Sequence, residues 1–242
     1  MGYREFAPPA ALRGLVESAW TIDGPPAAVL VLPDGCMDLI SMNDRIVVAG
    51  PDTAASVTAR DADPYVGLRF RPGILPRLLG IPAGELRNRR VPLSDLRRMP
   101  TRARSLTELT IQLAAEAPRV ETAPWTLPQL RHVTESLATG STVADLAHAL
   151  GWSPRTVQRH STAVYGYGAA TLRRVLRFRH ARRLLDAGLP IADVAARAGY
   201  ADQPHLHREV RALAGVPLAS FRHDASGANR STQLPSGSAT VA

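Results

Sequence analysis

The chain has 242 residues, 45% of them hydrophobic, and a formal net charge of +8 in which all 29 basic residues are arginine. No run of some 18 apolar residues is present, Met1 to Phe6 leads into Pro8-Pro9 without a charged-then-apolar signal pattern, and the single Cys36 excludes an internal disulfide. The expectation is a cytoplasmic protein, with no membrane partner, that is long enough for two domains with their own cores. All seven histidines lie at or after His132, which argues against a His-ligated metal centre in the first half. Neither a metal nor an organic cofactor is expected.

Taken in chain order, residues 10–75 read mainly as β. The runs 16–22, 28–32, 37–42, 45–49, 54–60 and 65–70 are short, rich in Val, Ile and Leu, and punctuated by Asp-Gly, Asn-Asp and Pro. They predict a small antiparallel sheet or half-barrel. Within it, Asp34-Gly35 is expected to form a turn whose carboxylate caps its own backbone. Cys36, with no histidine nearby in sequence to act as a base, reads as a small buried hydrophobe rather than a reactive thiol. Arg69 and Arg71 share a strand face; exposure or pairing with Asp61 or Asp63 is the expectation, and an anionic effector the alternative. Residues 75–79, 93–96 and 105–117 then read as helices. The last is amphipathic through Leu106, Leu109, Leu113 and Ala117, and is expected to pack on its own sheet in preference to forming a dimer seam. Residues 118–124, bounded by prolines, read as a linker.

The last hundred residues contain one pattern twice. Val143-Ala-Asp-Leu-Ala147, Leu150-Gly-Trp-Ser-Pro154, Val157 and Arg159 are answered by Ile191-Ala-Asp-Val-Ala195, Ala198-Gly-Tyr-Ala-Asp202, Leu206 and Arg208, with Gly199 following Gly151 by 48 residues. In each copy the apolar residues recur at helical spacing and the helix stops at a glycine, which can take the left-handed conformation that turns the chain sharply. Ser153 is suited to cap the next helix and Pro154 to its first position. Two helices joined by a short glycine turn make a DNA-reading unit.

These residues resemble the DNA-binding domain of the AraC/XylS family of bacterial transcription regulators, over positions 128 to 222. The second half carries the likeness through Ile191-Ala-Asp-Val-Ala-Ala-Arg-Ala-Gly-Tyr-Ala-Asp-Gln203, His205-Leu206, Arg208 and Gly215-Val-Pro-Leu-Ala-Ser-Phe-Arg222. Two positions depart from the family pattern. Ser161 stands where an aromatic residue is usual, which should weaken packing of the first reading helix, and Pro204 stands where a small polar residue is usual, which removes a hydroxyl contact to DNA. Leu32-Pro-Asp-Gly-Cys-Met-Asp38 and Tyr65-Val-Gly-Leu-Arg-Phe-Arg-Pro-Gly73 resemble an uncharacterised N-terminal module found on some such regulators; no ligand follows from that.

Charge is distributed accordingly: residues 1–130 hold 15 arginines against 14 acids, and residues 131–242 hold 14 against 7. Between the two patterns, residues 169–186 form one expected helix. It presents Leu172, Val175 and Leu176 on one side and Phe178, Ala181, Leu184 and Leu185 on nearly the opposite side, so that it serves two small cores. Six arginines, at 173, 174, 177, 179, 182 and 183, fill much of its remaining surface and read as an unpaired cluster, from which Arg173 and Arg177 are expected to hold phosphate. The helix spans roughly 27 Å, compatible with reading helices about one DNA turn, some 34 Å, apart. By helical arithmetic Arg155, Gln158 and Arg159 project outward from the first reading helix, and Gln203, His207 and Arg208 from the second, with His205 at the border. The resemblance implies that these positions touch DNA, and Thr156 and Pro204 complete the candidate set. Trp152, Tyr200 and Phe221 read as core residues.

The expected architecture is α+β: a β-rich sensing or dimerising module over 1–120, a linker over 121–127, an all-α double helix-turn-helix domain over 128–223 and a disordered tail over 224–242. The expected function is sequence-specific transcription regulation on double-stranded DNA, without enzymatic activity. RNA polymerase, a small-molecule effector and a second copy of the chain are candidate partners. The alternatives are a repair enzyme that accepts an alkyl group on Cys36 and an effector-independent module that only dimerises.

Overall fold

The computed structural model describes residues 2–60, 63–98, 103–221 and 231–233. The first half builds two antiparallel sheets. Strands β1 (Tyr3–Phe6), β2 (Val16–Ile22), β4 (Met37–Met42), β5 (Arg45–Ala49), β7 (Tyr65–Phe70) and β8 (Arg90–Pro92) form one in the order β1-β2-β7-β4-β5-β8. Strands β3 (Ala27–Val31) and β6 (Ser56–Arg60) pair in the second, and β9 (Ser231–Gln233) adds to β3. Those last three residues belong to the tail expected to be disordered; most of the remaining tail lies outside the described residues.

The larger sheet is buried on both faces. Alternation puts Tyr65, Gly67 and Arg69 on one side of β7 and Leu68 and Phe70 on the other. On the first side Tyr3, Trp20, Ile22 and Tyr65 make a small cluster, and Trp20 lies so close over Gly67 that a Cβ there would come within 2.2 Å of the indole. On the second, Leu39, Val48, Leu68 and Phe70 meet α1 (Ile74–Leu79), α2 (Leu93–Leu96) and α3 (Leu106–Ala114) in the main core. Leu106, Leu109 and Leu113 of α3 are all buried there, as expected.

Arg69 departs from expectation. It is only 7% exposed, and Asp61, one of its expected partners, lies outside the described residues. Instead its guanidinium sits 2.8 Å from Glu5, 3.1 Å from Asp34 and 3.4 Å from Asp38, and donates to the Tyr3 hydroxyl at 3.0 Å. Register explains the choice: Asp38 stands directly opposite Arg69 on the neighbouring strand, where cross-strand charges interact. Trp20 Nε1 donates to the same Asp38 at 3.0 Å. Arg71 lies just past the strand end, exposed, and donates to the Arg13 carbonyl at 3.4 Å.

The second half is helical: α4 (Leu127–Ala138), α5 (Val143–Leu150), α6 (Pro154–Tyr165), α7 (Ala169–Asp186), α8 (Ile191–Arg197) and α9 (Gln203–Ala214). The two halves share one apolar core. Trp125, at the end of the expected linker, is packed into it, 2% exposed and with its carbonyl accepting a hydrogen bond from Arg77 at 2.8 Å. Trp125 stacks on Trp152 with centroids 6.0 Å apart and touches the rings of His160 and Tyr165. Two glycines with positive φ allow the close approach: a Cβ on Gly73 (φ 79°) would lie 2.6 Å from Val164, and one on Gly166 (φ 84°) would lie 2.4 Å from Pro51.

Replacing Arg69 with alanine would leave three acids around a buried site without their cation. Urea titration should place Arg69→Ala about 3–5 kcal/mol below the wild type, and a loss under about 1 kcal/mol would show that the carboxylates find water or one another instead.

Candidate nucleic-acid interface

Each helix pair is set by local chemistry that the sequence spells out. Thr142 caps α5 in a reciprocal box, accepting from the Asp145 N–H at 3.1 Å while Asp145 accepts from the Thr142 N–H at 3.0 Å. Gly151 (φ 64°) ends that helix in the left-handed region. Ser153 then caps α6, accepting from the Thr156 N–H at 3.1 Å, with Pro154 at the first helical position. In the second pair Gly199 (φ 73°) makes the turn and Asp202 caps α9, accepting from the His205 N–H at 2.6 Å. Pro204 lies in the first turn, where its missing N–H breaks no helical bond.

Packing then fixes which sides face out. Val157, Ser161 and Val164 of α6 and Leu206, Val210 and Leu213 of α9 are buried. Arg155, Gln158 and Arg159 on α6, and Gln203, Pro204, His207 and Arg208 on α9, are exposed. Among the described residues no acid pairs with Arg155, Arg159 or Arg208. The remaining candidates are partly committed. The Gln158 amide lies over Gly168, where a Cβ would come within 2.1 Å of it. The Thr156 hydroxyl is 3.0 Å from Ser153 Oγ and so takes part in the cap. His205 is half-buried, edge-on to Tyr200 with centroids 5.2 Å apart, and its Nδ1 accepts from the Ala201 N–H at 3.3 Å. Ser161, where an aromatic residue was expected, is fully buried, and its hydroxyl makes no hydrogen bond. Trp152 and Tyr200 pack as core residues; the Phe221 side chain lies outside what the structure describes.

The arginines of α7 are not an unpaired cluster. Arg174 reaches Glu209 of α9 through Nε at 3.1 Å and Nη2 at 3.0 Å, and Arg177 lies 3.5 Å from the same carboxylate with its guanidinium 4.5 Å above the Tyr200 ring. Arg182 pairs with Asp186 at 2.7 Å. Arg179 binds Glu17 of β2, and also lies 3.5 Å from Cys36 Sγ and 3.4 Å from the Asp34 carbonyl. A register shift places Glu17 at a bulge in β2, a feature that re-aims a side chain. Asp34 caps its own turn as expected, accepting from the Cys36 N–H at 2.8 Å. Cys36 is 5% exposed. Only Arg173 of the two expected phosphate holders is without an ion-pair partner among the described residues, since Arg177 is tied to Glu209.

Burial pushes the Glu209 carboxyl upward, but hydrogen bonds from Arg174 and the charges of Arg174 and Arg177 outweigh it, so it titrates below the ordinary value of 4.5. Sequence reasoning missed this clamp. The available signal was one acid, Glu209, between the inward-facing Leu206 and Val210.

Residues 129–224 match the model of a helix-turn-helix domain. Residues 4–92 match a separate domain of unknown function, DUF6597. Solved structures similar to the chain include the C-terminal domain of AraT, a response regulator from Geobacillus stearothermophilus, at 24% identity over 40% of this chain and 84% of that one, with a TM-score of 0.37. ToxT from Vibrio cholerae is similar at 12% identity over 85% of this chain and 91% of that one, TM-score 0.45. The same protein bound to (E)-4-(8-methylnaphthalen-1-yl)but-3-enoic acid gives 10% identity over 92% and 99%, TM-score 0.48. No curated protein matches the chain. Among the described residues there is neither a helix long and apolar enough to cross a membrane nor a cluster of metal-ligating side chains.

The clamp in this helix-turn-helix domain has a pH signature. A carboxyl whose folded pKa is depressed adds stability above its unfolded value and loses it as pH falls through the folded value. Glu209→Gln should therefore cost about 1–2 kcal/mol near pH 7, allowing for the partial exposure of Arg174, and the difference should close below pH 4.5. Paired denaturation curves at the two pH values measure it; a gap that persists in acid would refute the ionic origin.

Proposed function

We propose that this chain is a sequence-specific transcription regulator that inserts α6 and α9 into successive major grooves of duplex DNA, under the control of its N-terminal domain in the cytoplasm. The observation that carries the reading is the exposed pair of helix faces. Arg155 and Arg159 on one and Arg208 on the other stand free of acids among the described residues, beside the exposed Gln203 and His207. Arginine forks match guanine O6 and N7, and a glutamine amide matches adenine, whereas ion-paired arginines are poor base readers. The excess of arginine over acid in residues 131–242 supplies the sequence-independent attraction. Control by the N-terminal domain is supported by its packing: α6 lies against the turn at 83–86 and α1, so the first reading helix is braced by the sheet domain itself. Assembly with RNA polymerase and with a second copy belongs to the same reading.

The arginines divide into readers and holders. Arg159→Ala and Arg208→Ala should each cost about 1–3 kcal/mol on a selected operator and less on random duplex, compressing the specificity ratio. Arg173→Ala should weaken both duplexes alike and lower the salt slope by about one unit. Fluorescence anisotropy of the full chain across a salt series reads all three. Equal factors on operator and random DNA for every variant would reduce the domain to a charged clamp.

A further inference from the structure

A cleft of 980 Å³ opens between the sheet domain and the C-terminal helices, beside the core that they share. One wall is the segment around Glu17 and the Arg71–Ile74 turn; the other is one side of α4 along its length, the middle of α7 and the end of α8. No residue of α6 or α9 lines it, so it is separate from the proposed reading faces.

Its charge is lopsided. Arg71, Arg131 and Arg197 line it together with Arg173, Arg177, Arg179 and Arg183 of α7, and the acids among the lining residues are Glu17 and Glu135, a net charge of +5. Arg177 pairs with Glu209 and Arg179 with Glu17. Arg131 and Arg197 are exposed, and no acid pairs with either among the described residues. Like charges gathered in a concave, low-dielectric site repel one another and focus a field that attracts anions. Guanidinium forks match the paired oxygens of phosphate, sulfonate or carboxylate. Leu15, Ile74, Leu130, Leu137 and Leu176 give the same cleft an apolar lining. Glu17, bound to Arg179 at the wall, is the chain's own example of an anion taken up there.

We propose that this cleft binds a small organic anion carrying at least two negative charges on an apolar body. With Glu209 counted against Arg177 the excess is still several positive charges, of which a single negative charge balances a small part, and an inorganic ion leaves the apolar lining unused. The inference concerns ligand binding by the intact chain and stands whether or not α6 and α9 read DNA.

The fluorescent dianion bis-ANS, two sulfonates on an aromatic body, is a suitable probe. Titrations of the full chain are done in about 0.15 M salt, where surface attraction beyond about 8 Å is screened. Arg131→Ala/Arg197→Ala removes two exposed side chains that hold no described ion pair, and a matching far-UV spectrum checks its fold. The expected result is binding at least tenfold weaker in the double variant than in the wild type. Inorganic pyrophosphate and citrate, added as competitors, distinguish a phosphate from a carboxylate preference. Wild-type affinity in the double variant overturns the proposal, whatever the competitors do.

Discussion

Everything in the second half of this chain depends on the double burial of α7. Eighteen residues present Leu172, Val175 and Leu176 to one set of neighbours and Phe178 and Ala181 to another, so both helix-turn-helix units take their orientation from a single rod. Such a helix has little surface left for water, and its arginines settle where acids reach them. Arg174 and Arg177 reach across to α9, Arg179 reaches back to β2, and Arg182 closes on its own helix at Asp186. The apolar contacts hold both units to the rod, and the Glu209 pairs add an ionic tie to the second.

That division separates what the sequence made legible from what it hid. Strands 16–22, 37–42, 45–49 and 65–70 were readable to the residue, because β-branched runs between turn residues carry their own boundaries. The helix start at Ser153 was equally local, since a cap and its target lie three residues apart, and Thr142 and Asp202 cap their helices at the same spacing. Strands β1 and β8 were not readable: at four and three residues they are too short to show a period, and they exist because β2 and β5 offer them an edge. Ion pairs were the least visible of all. Arg69 with Asp38 depends on register, Arg174 with Glu209 spans 35 residues, and Arg179 with Glu17 spans 162.

The candidate interface follows the same logic. Outward faces were derivable from 3.6-residue geometry, and Arg155, Arg159, Arg208, Gln203 and His207 are exposed where that geometry puts them. Side-chain commitment was not derivable. Gln158 folds over Gly168, Thr156 joins its own cap and His205 turns to Tyr200, each through neighbours that a helical wheel omits. A wheel gives direction, and only the folded chain tells which of the side chains so directed have a prior engagement.

The packed segment around Trp125 has a consequence for how the halves move. A flexible tether would let the C-terminal half swing as an independent body. Here the connecting residues are themselves core: Trp125 is wedged against Trp152, His160 and Tyr165, and Gly73 and Gly166 bring the facing surfaces to within backbone contact. Close-packed surfaces of this kind do not hinge; they slide by small steps between alternative interdigitations. The motion open to this molecule is therefore shear, in which a displacement of the sheet domain reaches α6 directly, through contact and without slack.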